Sequence, residues 1–133
     1  MNLPNGVLLD TSVILDLERL DLGDFAATSV AVSAVSVGEL GDGPDVDDPI
    51  ERTARTERYY AVLDGYDILP FDVVAAKRYG LLATLVRRAG RDPRPRRLDL
   101  QIAATAAVNS MPLLTRNAKD FAGLEQALDV ISI

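Results

Sequence analysis

Cysteine and histidine are both absent from this 133-residue chain. Without cysteine there is no disulfide framework, no thiolate zinc site and no sulfur nucleophile. Without histidine there is no Ser-His-Asp triad, no imidazole general base and no histidine-ligated metal. Lysine is scarce as well, with two residues against twelve arginines. No apolar run approaches the ~18 residues a membrane-spanning helix needs, and Met1 to Gly6 has neither the basic nor the apolar region of a leader. A cytoplasmic protein with no membrane segment is expected, and the missing cysteine suits a reducing compartment. Any chemistry falls to carboxylates, hydroxyls, amides, Lys or Arg.

Carboxylates are plentiful: 15 Asp and 5 Glu leave a net charge of −6. With 48% hydrophobic and 26% charged residues, the chain has the composition of a folded globular protein rather than a disordered one. Its length predicts a single domain over residues 1–133 with a real core. Nucleic-acid binders are usually basic, so the overall charge argues against one. That argument lapses if the acidic groups hold metal ions, because a bound cation inverts the local field.

Short apolar runs alternate with longer helical patterns. Val7-Leu8-Leu9 reads as a strand and Val13 to Leu20 as a helix; Val30 to Val35 reads as a second strand, with a helix starting at Ser36. Asp42 to Pro49 is a turn-rich acidic loop. Ile50 to Asp64 is predicted helical, Glu51 and Arg55 being spaced i, i+4 and Gly65 forming a stop. Asp67 to Phe71 is a third strand. Asp72 can cap a helix whose Ala75, Tyr79, Leu82, Val86 and Ala89 share one face up to Gly90. Leu98 to Val108 is an alanine-rich helix, Leu113 to Thr115 a fourth strand, Ala118 to Leu128 a helix and Val130 to Ile133 a last strand. This alternation predicts an α/β fold with helices on both faces of a parallel sheet of four to five strands.

In such sheets the functional site lies beyond the carboxyl ends of the strands. Asp10 follows the first strand, Ser36 and Glu39 the second, and Thr115, Arg116, Asn117 and Asp120 the fourth. Asp99 stands in the first turn of the alanine-rich helix. Each has an ordinary structural explanation. Asp10 can cap a helix, Ser36-x-x-Glu39 matches a capping box, Asp99 suits a helix dipole, and Asn117 with Asp120 can start the last helix. Only a metal site accounts for all of them on one sheet edge. Clustered carboxylates repel, and an all-oxygen donor set suits Mg²⁺ or Mn²⁺. Such an ion without a glycine-rich phosphate loop points to phosphodiester hydrolysis. Arg87, Arg88, Arg91, Arg94, Arg96 and Arg97 form a basic stretch ending just before Asp99. It is either a solvated surface or a phosphate-binding rim, to which Arg116 adds a further cation.

Four blocks of sequence resemble PIN-domain proteins, and more narrowly the VapC ribonuclease toxins of bacterial VapBC toxin-antitoxin pairs. They are Val7-Leu8-Leu9-Asp10-Thr11-Ser12-Val13-Ile14, Ser36-Val37-Gly38-Glu39-Leu40, Leu98-Asp99-Leu100-Gln101-Ile102-Ala103-Ala104-Thr105-Ala106, and Leu114-Thr115-Arg116-Asn117-Ala118-Lys119-Asp120-Phe121. The resemblance implies a three-layer α/β/α PIN-like domain and a Mg²⁺- or Mn²⁺-dependent endoribonuclease. It also implies a cognate VapB-like antitoxin whose tail covers the site, with a homodimer of the toxin inside the complex. By position it implies Asp10, Glu39 and Asp99 as acidic ligands, with Asn117 or Asp120 completing the set. Ser12 and Thr115 stand at positions that support the cluster by hydrogen bonds. RNA is the implied substrate, and the basic residues Arg94, Arg96, Arg97 and Arg116 are the candidate contacts for its phosphates. Two other readings compete: a catalytically silent PIN scaffold, and a receiver-like phosphoacceptor domain. The latter needs a lysine after a later strand, and neither Lys77 nor Lys119 is so placed.

Overall fold

The computed structural model describes residues 6–133; Met1 to Asn5, which the leader reading above concerns, lie outside the described residues. Five parallel strands form one sheet in the order β3-β2-β1-β4-β5: β1 (Gly6–Leu9), β2 (Ser29–Ser33), β3 (Asp67–Leu69), β4 (Leu113–Thr115) and β5 (Val130–Ser132). The helices are α1 (Thr11–Leu15), α2 (Ala34–Asp42), α3 (Pro49–Gly65), α4 (Val73–Arg88) and α5 (Arg97–Val108). The expected three-layer α/β/α arrangement is the one observed, with five strands at the upper end of the expected number.

Strand alternation builds both cores at once. Leu8, Ala31 and Leu113 point to one face, where α4 and α5 supply Leu82, Val86, Leu100, Ile102 and four fully or almost fully buried alanines. Val7, Leu9, Val32 and Leu114 point to the other, where they meet Val13 and Ile14 of α1, Leu40 of α2 and Val62 of α3. Both faces of the central strands are covered, so they read as continuous apolar runs. Each of these fully buried aliphatic side chains contributes about 1.5–3 kcal/mol. The alanines of α5 keep its backbone near the sheet, and Asp99 in its first turn comes with it.

Four boundaries differ from the sequence expectation. The helix foreseen over Val13 to Leu20 starts earlier and is broken: α1 ends at Leu15, and a 3-10 turn spans Leu17–Arg19. Asp16 leaves the helical path to pair with Arg116, and Leu17, Leu20 and Leu22 fold down onto the second core. Strand β2 stops at Ser33, and Ala34 and Val35 already belong to α2. Strand β3 ends at Leu69 rather than Phe71. The helix foreseen over Ala118 to Leu128 is only a 3-10 turn, Ala118–Phe121. Phe121, Leu124 and Leu128 have helical spacing and are buried. Gly123 between them sits at φ +94°, a left-handed conformation that ends any helix there, and a Cβ on it would meet that of Ala89 at 3.3 Å.

Strand order rises from β1 to β3 on one side, then jumps back across β1 to β4 on the other. The sheet therefore switches direction beside β1, and a crevice opens beyond the ends of β1 and β4, the place where such folds hold their ligands.

Candidate metal centre

Asp10 occupies that crevice. Its own N–H continues the β1–β4 ladder by donating to the Leu114 carbonyl at 2.9 Å, and its side chain is almost wholly buried. It stands just ahead of α1 but its carboxylate makes no capping bond. Instead Oδ2 accepts two hydroxyl bonds, from Ser12 Oγ at 2.6 Å and from Thr115 Oγ1 at 2.9 Å. Each hydroxyl is itself held from behind. The Arg116 N–H donates to Ser12 Oγ at 3.1 Å and the Asn117 N–H donates to Thr115 Oγ1 at 3.0 Å. The turn after β4 thus feeds two backbone donors through two side chains into one carboxylate oxygen, a chain in which each bond polarises the next. Among the described residues no donor meets Oδ1.

Glu39 is held in a similar way from α2. The cap of α2 is Ser33, whose Oγ accepts from the Val35 N–H at 3.1 Å, so Ser36 lies within the helix and the capping-box geometry does not form. Thr11 Oγ1 donates to Glu39 Oε1 at 2.9 Å and lies 2.8 Å from the buried Ser36 Oγ. Because the single Thr11 proton goes to the carboxylate, Ser36 is the donor to Thr11. Sequence reasoning missed Thr11. The tandem Thr11-Ser12 after a strand-end Asp was the available signal, since one hydroxyl reaches α2 and the other β4.

Asp99 and Asp120 form the other side. Asp99 is in the first turn of α5, and Asp120 in the 3-10 turn anchored by buried Phe121. Burial, then the negative charges of Asp10, Asp120 and Glu39, push the Asp99 carboxyl up to about 6 against the opposing effect of Arg96. Arg96 bridges the pair, its Nη2 3.1 Å from Asp120 Oδ1 and its Nη1 3.7 Å from Asp99 Oδ2. The structure therefore brings Asp10, Glu39 and Asp120 within electrostatic range of Asp99. Asn117 joins through its backbone alone; its side chain neither caps the following turn nor bonds to the four carboxylates.

The donor set is all oxygen, in a partly buried crevice where the carboxylates repel, and this chemistry suits Mg²⁺ or Mn²⁺. As the side chains stand, no three of the acidic groups converge on one point among the described residues. Two of them are turned to a guanidinium.

The arginine stretch does not form one surface. Arg94 grips Asp92 through Nε at 3.2 Å and Nη2 at 3.1 Å. Arg96 points inward, as above. Arg97 lines a hollow of about 250 Å³ together with Glu39 and Asp99, and has no carboxylate partner among the described residues. Arg116 pairs with Asp16 at 3.3 Å. A second hollow of about 300 Å³ flanks the far side of Glu39, lined by Thr11, Arg55 and Arg58 among others.

The family model of the PIN domain matches residues 7–125. Ribonuclease VapC4 of Mycobacterium tuberculosis is 33% identical over 129 residues, 95% of each chain. Ribonuclease VapC5 of the same organism is 36% identical over 134 aligned positions, 96% of this chain and 93% of that one. Among solved structures, the VapBC-5 member of the VapBC toxin-antitoxin family from Mycobacterium tuberculosis superposes with a TM-score of 0.80 at 31% identity, covering 98% of this chain and 100% of the other.

Proposed function

The chain belongs to the PIN-domain family, and from that premise we propose that it is the toxin of a VapBC-type pair, an endoribonuclease that hydrolyses single-stranded RNA at a Mg²⁺ or Mn²⁺ centre. The observation that carries this reading is the buried Asp10 at the sheet's switch point, oriented by Ser12 and Thr115 with Asp99, Asp120 and Glu39 around it. The ribonuclease names of VapC4 and VapC5 support the substrate class. A receiver-like domain drops out with the family assignment.

Asp10 and Asp99 are the principal ligands in this mechanism, and Glu39 and Asp120 complete the site directly or through water. A divalent cation held by these carboxylates would make a bound water acidic enough to act as nucleophile near neutral pH and would offset charge on the phosphoryl group. The protein's part is orientation. Ser12 and Thr115 fix one oxygen of Asp10, and Thr11 fixes one of Glu39. No imidazole exists to activate a 2′-hydroxyl, and the mechanism takes water as nucleophile: it attacks phosphorus, the bond to the 3′-oxygen breaks, that oxygen leaves as a hydroxyl with the proton the water gives up, and the product carries a 5′-phosphate. Arg97 and the two hollows beside Glu39 take the phosphates of the strand.

The partner in this reading is a small antitoxin. An apolar groove of about 630 Å³ between the α1 segment and α3, lined by Ile14, Leu15, Leu17, Ala61, Val62 and Tyr66, fits the apolar face of a short helix. A basic tail then reaches the acidic crevice. Exposed Val74 and Leu81, seven residues apart on α4, support pairing with a second copy. No helix among the described residues is long and apolar enough to cross a membrane.

The test is cleavage of a labelled single-stranded RNA with Mg²⁺, with Mn²⁺ and with chelator, for the wild type and Asp10→Asn. Cleavage should need the ion, leave 5′-phosphates and fall roughly 10²–10³-fold in the variant, whose circular dichroism stays native. Cleavage that persists in chelator, or in folded Asp10→Asn, overturns the reading. A folded wild type that binds RNA without cutting it establishes the silent scaffold instead.

A further inference from the structure

Among the described residues, Arg96 is the one arginine of the basic stretch that forms ion pairs with the clustered carboxylates. It directly precedes α5, in a 3-10 turn that contains Pro95 and follows Pro93. Its guanidinium spans Asp120 at 3.1 Å and Asp99 at 3.7 Å. The other ion pairs among the described residues, Arg55–Glu51, Arg94–Asp92 and Arg116–Asp16, all lie outside the acidic cluster. A guanidinium keeps its charge at any working pH and offers only donors. Oxygens it engages are directed at it and not at a common ion, which accounts for the absence of a convergent ligand set among the described residues.

We propose that Arg96 is a built-in counter-cation. It occupies the Asp99–Asp120 side of the site in the metal-free protein, competes with the divalent cation for those carboxylates, and once displaced presents its guanidinium to an RNA phosphate. This rests on the metal-dependent nuclease reading and adds a residue that sets both metal affinity and phosphate binding. The exchange is physically easy. Side-chain exposures of 41% for Arg96, 30% for Asp99 and 17% for Asp120 put the pair in reach of water, where such pairs are weak. The prolines stiffen the backbone, so the fork moves by side-chain rotation and stays at the rim. There its geometry matches a phosphate as well as it matches a carboxylate.

The experiment is calorimetric titration of the metal-free, full-length protein with Mn²⁺, for the wild type, Arg96→Gln and Arg96→Lys. It is paired with single-turnover RNA cleavage at saturating Mn²⁺. Arg96→Gln should bind Mn²⁺ roughly three- to tenfold more tightly, with Arg96→Lys in between, and should cleave roughly tenfold more slowly. A damaged site binds metal more weakly, so tightening is a readout that misfolding does not produce. Unchanged or weaker Mn²⁺ binding by Arg96→Gln overturns the competition. Tighter binding with wild-type cleavage overturns the phosphate role. If none of the three proteins binds Mn²⁺, the metal-nuclease reading itself fails and takes this inference with it, a pattern distinct from a wild type that binds and a variant that binds no better.

Discussion

Asp10 and Glu39, on one side of the acidic site, receive their hydrogen bonds from neutral hydroxyls, whereas Asp99 and Asp120, on the other, are bridged by a guanidinium. The first arrangement fixes where an oxygen sits and leaves its charge intact. The second cancels charge and, in the proposal above, sets a guanidinium in competition with a divalent cation. The first side is therefore preorganised and the second adjustable, as the proposed metal site would require. Burial sharpens the contrast at Asp10, which is buried, whereas Glu39, Asp99 and Asp120 are all partly exposed. A buried carboxylate needs satisfied donors, and a half-exposed one can share a mobile cation with water.

The largest effect is expected on the first side. Thr115→Val keeps the shape of the side chain but removes one of the two donors to Asp10 Oδ2 and the acceptor of the Asn117 N–H. It should cost about 1.5–3 kcal/mol of stability, the range for a hydrogen bond to a charged group. RNA cleavage should fall at least tenfold, because a ligand that is no longer fixed binds in the wrong geometry. Urea unfolding and cleavage kinetics on the same preparation read both effects. Wild-type values for both would remove the distinction between the two sides.

A smaller effect, of opposite sign for stability, is expected on the second side. The carboxyl of Asp99 is raised from its ordinary 3.8 to about 6 by burial and by its acidic neighbours. Between these values the folded chain holds a proton that the unfolded chain has lost, so the contribution of Asp99 to metal-free stability is most favourable below pH 3.8, falls as pH rises, and reaches its reduced value above about 6. The loss from this one group should be on the order of 1 kcal/mol, allowing for solvent screening of a partly exposed carboxylate. Asp99→Asn should flatten that part of the profile and raise the chelator-treated melting temperature above pH 6. Adding Mg²⁺ should stabilise the wild type by mass action and the variant much less. The check is thermal unfolding across pH 4–8 in chelator and in Mg²⁺. If Asp99→Asn lowers stability in chelator and Mg²⁺ shifts both proteins equally, Asp99 is only a helix-start residue.

The smallest effect separates Arg97 from the rest of the basic stretch. Arg94 and Arg97 both line the hollow beside Glu39, but Arg97 has no carboxylate partner among the described residues, whereas Arg94 is tied to Asp92. Arg97→Gln should weaken RNA binding a few-fold and reduce the salt slope by about one unit, the contribution of one phosphate contact. Arg94→Gln should do less. Equal losses in RNA-binding titrations at several salt concentrations would mean that the stretch acts as one diffuse surface.

Most of the layered fold was legible because it follows from local pattern. Val7-Leu8-Leu9 reads as a strand buried on both faces, and Ala75 to Ala89 repeats at helical spacing. The last helix was misread for a specific reason: Phe121, Leu124 and Leu128 keep helical spacing although Gly123 has turned the chain, and burial alone does not distinguish a helix from a set of turns. The Ser36-Glu39 spacing was ambiguous in the same way, since a capping box and a helix that starts at Ala34 present the same four letters.

What the sequence by itself determined is the list of available chemistry and its order along the chain: no imidazole, no thiol, carboxylates after the strands, and blocks that match one family. These are properties of composition and local periodicity, which need no knowledge of distant neighbours. What only the tertiary structure decided is the partner of each charge. Thr115 reaches Asp10 across 105 positions, Thr11 reaches Glu39 across 28, and Arg96 turns inward to Asp120 while Arg97, next to it in the chain, stays exposed. Those pairings depend on strand order, on the crevice between β1 and β4, and on the rotation of α5. Long-range packing sets all three, so residues adjacent in sequence were free to take opposite roles.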